Sequence, residues 1–172
     1  MFTRLVTPKS IALAALAYLM VIVATTRTSF GGPAGSMQAG TASLDACSLL
    51  TAVDVQAATK RPVRPPAKSA TANLATCTFD DPKDPTSKVL NLNVLVSANA
   101  ADAKKALAIA KSNAADVQPV SALGEEAYWD KYLRALRIVK GRYQLDLELD
   151  SEAGGLDAAK ALAVKALSRL PA

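Results

Sequence analysis

Histidine is absent from all 172 residues. That absence removes Ser-His and Cys-His catalysis, histidine-ligated zinc or copper, and a histidine pH switch. Aromatics are scarce at 5%, with a single tryptophan, and cysteine occurs only twice. A core built from Leu, Val and Ala with so few rings is thin, so a covalent cross-link would matter to it. A clustered basic face is also missing. Of 20 basic side chains, Arg4, Lys9 and Arg27 stand in the first 27 residues, leaving 17 against 15 acidic ones in the remainder. This near balance carries no footprint for nucleic acid. No Gly-rich phosphate loop, dinucleotide fingerprint or nucleophile elbow occurs, and no cofactor is expected. Carboxylate, lysine and serine chemistry stay open.

What is present begins with a leader. Arg4 and Lys9 precede IALAALAYLMVIVA, an unbroken apolar run of 14 residues from Ile11 to Ala24. A basic start followed by such a run is the pattern of an export signal. With Thr25 and Thr26 the run reaches 16 residues, just short of the roughly 17–25 that cross a bilayer. Residues 1–27 therefore read either as a cleaved signal peptide or as a retained membrane anchor, the span being residues 11–26. In both readings the remainder is exported, periplasmic or extracellular. Residues 28–43, TSFGGPAGSMQAGTAS, have no apolar periodicity and read as a flexible tether. The length then leaves one domain, residues 44–172.

Cys47 and Cys77 admit three fates. A lipid-anchor cysteine follows its apolar run almost directly, whereas 22 residues intervene between Ala24 and Cys47. A reactive thiolate needs a cationic neighbour, and neither cysteine has one nearby in sequence. Outside the cytoplasm, an even pair is expected to oxidise to a Cys47–Cys77 disulfide.

The domain reads as alternating short elements. SLLTAVDVQAAT suggests a helix capped by Ser48 or Thr51, with Leu49, Val53 and Ala57 on its apolar face. Residues 60–74, KRPVRPPAKSATANL, hold Pro62, Pro65 and Pro66, which forbid helix or central strand and predict an exposed basic loop. ATCTF has strand character, and Leu90, Leu92, Val94 and Val96 alternate with Asn91 and Asn93 in a second strand. Ala103, Ala106, Leu107 and Ala110 have helical spacing, with Asn99 as cap. A glycine turn then leads into a strand at Glu125–Trp129, followed by a hairpin. Tyr143, Leu145, Leu147 and Leu149 of its second arm face one way, and Gln144, Asp146, Glu148 and Asp150 face the other, toward water. The last helix turns Leu156, Ala159, Ala163, Ala166, Leu167 and Leu170 inward. The expected class is α+β, with an antiparallel sheet of about five strands, three helices and the order α-β-β-α-β-β-β-α.

DACSLLTAVDV, TCTFDDP, VSALGEEAYW and VKGRYQLDLEL together resemble a family of uncharacterised small exported domains, many of them lipoproteins. These open on an Asp-x-Cys-x-Leu-Leu-Thr helix and place a second cysteine in the first strand. The resemblance spans about residues 44–170 and implies a Cys47–Cys77 disulfide and a fold similar to PsbP-like sandwiches. It assigns no activity, and this chain lacks the family's anchor cysteine.

Candidate sites are few. Asp80, Asp81 and Asp84 crowd a turn, but the spacing is not that of a calcium loop and the required glycine is missing. Glu125 and Glu126 adjoin Tyr128 and Trp129; neighbouring strand residues point to opposite faces, so the two carboxylates cannot readily share a substrate. Tyr128 and Trp129 are the candidate rim of a ligand groove. Lys60, Arg61, Arg64 and Lys68 are candidate contacts to an anionic surface. The expected function is a non-enzymatic domain that binds a protein partner or envelope component. One alternative is a small hydrolase gathering at least two of Glu125, Asp130, Lys131 and Asp146 in a pocket. Another is the structural, extracytoplasmic part of a membrane assembly.

Overall fold

A computed structural model describes residues 44–171. The leader and tether readings fall on residues outside that range. The domain opens with a 3-10 turn, Ala46–Ser48, in which the Asp45 carboxylate accepts from the Cys47 amide at 2.9 Å. Helix α1 (Ala52–Thr59) follows, then strands β1 (Ala67–Ala70), β2 (Leu74–Asp80) and β3 (Lys88–Val96). Helix α2 (Ala100–Ser112) leads to β4 (Val117–Pro119), β5 (Glu126–Asp130), β6 (Ala135–Lys140) and β7 (Tyr143–Leu149), and helix α3 (Leu156–Ser168) closes the chain.

All seven strands join one antiparallel sheet in the order β1-β2-β3-β7-β6-β5-β4. Two meanders thus meet at the sheet centre, where β3 pairs with β7. The connection between them carries α2, which packs against β6 and β7. Strand alternation then assigns the faces. Cys77, Leu92, Leu147, Leu136 and Trp129 lie opposite one another in a row across five strands, and Ala75, Val94, Leu145, Ile138 and Ala127 form the adjacent row. The 3-10 turn, α1 and α3 cover that face and complete the main core. On the opposite face Ala103 and Leu107 of α2 form a smaller cluster with Tyr128 and Val139.

The α+β class and three helices are as expected, but the sheet has seven strands rather than five. The two extra ones are its edges. Strand β1 falls inside the proline-rich loop, with all four residues exposed, and β4 has three residues ending on Pro119. An edge strand needs no core-facing alternation and tolerates proline, so neither carries the usual pattern. The expected exposed loop is also tied inward: Val63 is buried and Arg61 largely so.

Helix α1 is turned differently from its expected face. Val53 is 74% exposed, while Asp54, Val55 and Thr59 point inward. The reason is the cap. The Thr51 hydroxyl accepts from the Asp54 amide at 3.2 Å and the Asp54 carboxylate accepts from the Thr51 amide at 3.0 Å, a reciprocal capping box. Asp54 then reaches α3, accepting from Lys165 at 2.8 Å and Arg169 at 2.7 Å. In an eight-residue helix, this clamp and the buried Leu49-Leu50 pair outweigh a weak apolar stripe.

The polar face of β7 also departs from expectation. Gln144, Asp146 and Glu148 are half-buried rather than open to water, because α2 lies over this side of the sheet. Gly124 opens the approach to β5. Its φ is +61°, and an added Cβ would sit 2.3 Å from the Val139 carbonyl oxygen, so glycine is required there.

Candidate functional site

The disulfide between Cys47 and Cys77 joins the 3-10 turn to β2, with 5.0 Å between their Cα atoms. This bond fixes the wall of a cavity. Leu44, Asp45 and Ser48 form one side, the β1–β2 turn from Thr71 to Leu74 a second, and Val96 to Ala98 after β3 a third; Arg142, Tyr143 and Pro171 complete it. Its volume is about 640 Å³, within the ~300–1,000 Å³ typical of small-ligand sites. Alanine, leucine, valine, tyrosine and proline side chains supply most of the wall. Arg142 occupies a two-residue turn between β6 and β7, behind Gly141, whose φ is +56°. Its guanidinium carbon stands 5.9 Å from the centre of the Tyr143 ring, within cation–π range. A smaller hollow of about 450 Å³ adjoins β1 and includes Lys68.

A second feature is a buried polar row beside α2. Tyr128, Arg137 and Asp146 face one another across β5, β6 and β7. Arg137 donates to the Tyr128 hydroxyl at 3.0 Å and to Asp146 at 2.9 Å, and an Asp130 oxygen lies 4.0 Å away. The other Asp146 oxygen, Oδ1, is buried without a hydrogen-bond partner. Burial pushes the Asp146 carboxyl up to about 6, against the opposing pull of Arg137. Burial also opposes the Arg137 charge, but the Tyr128 hydroxyl and Asp146 outweigh it and hold the guanidinium firmly protonated. Neither cavity reaches this row.

The residues singled out in the sequence scatter. Tyr128 is fully buried and Trp129 nearly so, in different clusters on opposite faces; neither lines the cavity at the Tyr143 end. Arg61 is engaged: its guanidinium pairs with Asp81 and Asp150 and approaches Glu152 at 3.5 Å. Arg64 donates to the Pro82 carbonyl, Lys68 lies 3.4 Å from Asp45, and Lys60 caps α1 in the left-handed conformation. These four do not form one cationic surface. Among the four groups of the hydrolase alternative, Asp130 and Asp146 meet around Arg137. Glu125 instead pairs with Lys104 at 2.6 Å, and Lys131 with Asp116 at 3.1 Å. With Glu126 on Lys111 at 3.3 Å, the two adjacent glutamates fasten α2 to the sheet. Asp81 serves Arg61, and Asp84 caps its own turn through Thr86.

Sequence reading missed Arg137, although its signal was available. A two-residue turn at Gly141-Arg142 sets Arg137 opposite Asp146 by simple counting outward. The cavity had no comparable signal, because its walls come from five separate stretches. Among the described residues, no group of three or more Cys, Asp or Glu is placed to hold a metal ion. No described helix is long and apolar enough to cross a membrane. Neither a family model nor a curated protein matches the chain.

Proposed function

We propose that this chain is an exported, non-enzymatic binding domain, secreted or anchored by residues 11–26, that contacts an envelope component or partner through the cavity at the Tyr143 end of its sheet. The observation that carries the reading is the cavity itself: concave, mainly apolar, and walled by a turn that the disulfide holds in place. A disulfide persists in an oxidising compartment, in keeping with the basic, apolar leader. Helices on both faces of an antiparallel sheet are also in keeping with the PsbP-like layering and exported-domain family that the sequence resembles.

A photo-crosslinking side chain at Ser97, on the cavity lip, tests this in intact cells. The expected result is a reproducible envelope adduct that disappears when Ala98→Trp obstructs the cavity from its exposed edge. An adduct indifferent to Ala98→Trp, or none at all, contradicts it.

A second reading, acid–base catalysis by Asp146, draws support from its carboxyl near 6 and its unpartnered oxygen. It predicts a hydrolytic rate that Asp146→Asn abolishes.

A further inference from the structure

We infer that the natural ligand of the cavity is a single-chain anionic amphiphile: one alkyl chain ending in a carboxylate or phosphate. The inference rests on the binding reading above and names its ligand class. Three features of the wall carry it.

The wall is more apolar than polar, with Ser48, Thr71, Asn73 and Ser97 standing among its apolar side chains. Leu44, Leu74, Val96, Tyr143 and Pro171 contribute side chains that offer no charge to a ligand. Leu74 remains 36% exposed and Tyr143 half-buried, so apolar surface stays wet until something covers it. A flexible alkyl chain suits such a wall better than a rigid polar ligand, because its contacts are non-directional.

The mouth carries one uncommitted cation. Arg142 is exposed and has no carboxylate within ion-pair distance among the described residues. Arg61, Arg137 and Arg169 are paired with aspartates, and Arg64 and Arg134 donate to backbone carbonyls. The cavity's acid, Asp45, is already taken by the Cys47 amide at 2.9 Å and by Lys68 at 3.4 Å. Lys68 thus offsets the one carboxylate of the lining, which leaves the Arg142 charge for an anion.

The cation is also positioned. The two-residue turn holds its backbone, and the Tyr143 ring lies beneath its guanidinium. A planar guanidinium beside the entrance to a mainly apolar hollow suits the two oxygens of a carboxylate or phosphate head.

The test uses the disulfide-intact full chain and saturated carboxylates of eight to fourteen carbons, below their micelle concentrations. The matched alcohols and the matched monoalkyl phosphates are run in parallel arms. Affinity is read by calorimetry, and amide shifts of Leu74, Val96 and Arg142 locate the site. Carboxylate affinity is expected to rise about fourfold per methylene until the cavity is full. Arg142→Gln should weaken the carboxylates about tenfold and leave the alcohols unchanged, while Ala98→Trp removes binding of both. A preference for the alkyl phosphates over the carboxylates identifies a phosphate head, and the reverse a free acid. Failure of every amphiphile to saturate overturns the inference, as does equal loss of acids and alcohols in Arg142→Gln. If amphiphiles fail while the Ser97 crosslink still depends on Ala98, the broader binding reading survives; loss of both removes both.

Discussion

The Cys47–Cys77 bond should supply a large share of this domain's stability, and the cavity wall should depend on it. The two cysteines are 30 residues apart. Closing a loop of that length lowers the entropy of the unfolded chain by an amount worth about 3.6 kcal/mol in the chain-entropy model. Replacing both cysteines by alanine also removes sulfur from beside Leu92 in the core row, costing about 1 kcal/mol more. Against a total of roughly 5–15 kcal/mol for a domain of this size, the loss is severe. The assay is urea unfolding of Cys47→Ala/Cys77→Ala, followed by fluorescence of Trp129, the sole tryptophan and a buried one. The expected loss is about 4.6 kcal/mol, with a slightly steeper urea slope because the unfolded chain expands. In native-state hydrogen exchange, the Ser48 and Leu49 amides, which bond to Asp45 and Ala46, should lose protection before the sheet centre does. A loss below about 1 kcal/mol would refute the staple argument, as would unchanged exchange at the 3-10 turn.

The remaining predictions concern the buried charges and the glycine turn. Asp54→Ala removes half the capping box and the shared partner of Lys165 and Arg169; we expect a loss of about 2 kcal/mol at pH 7, the cations being able to turn toward water. The Arg169 guanidinium holds the Asp54 carboxyl below the usual range. Its contribution is therefore full above the unfolded value near 4 and fades as pH falls below that, so wild type and variant should converge in acid urea titrations. Asp146 has the opposite sign. With a folded value of about 6, the native state binds the extra proton between pH ~4 and ~6, so this residue costs stability as pH rises through that window, by up to about 3 kcal/mol. Asp146→Asn should flatten that part of the stability profile, and an unchanged slope would contradict the assignment. Gly124→Ala places a Cβ against the Val139 carbonyl at positive φ and should cost at least about 2 kcal/mol, seen as a melting temperature lowered by more than ~5 °C.

How much of this was legible in the chain follows from the range of each signal. The alternation at Leu90–Val96 and at Tyr143–Leu149, the Asn99 cap and the apolar stripe of α3 are local, and they map onto β3, β7, α2 and α3. The edge strands β1 and β4 escaped because an edge needs neither apolar alternation nor every amide. Helix α1 was misturned because its orientation is set by Asp54 meeting Lys165 and Arg169, more than 100 positions away. Arg61 looked like a solvated loop charge for the same reason, its partner Asp150 lying 89 positions on. The cavity is the extreme case, assembled where a turn, two strand ends and both ends of the described chain converge.

Thiol trapping in living cells tests most directly the proposal of an exported chain whose two sulfurs are joined. Cells are quenched in acid, fractionated and alkylated, and the protein is weighed intact. The prediction is a species outside the cytosol with neither Cys47 nor Cys77 modified until reductant is added. A cytosolic species that takes two alkyl groups without reductant would contradict the account.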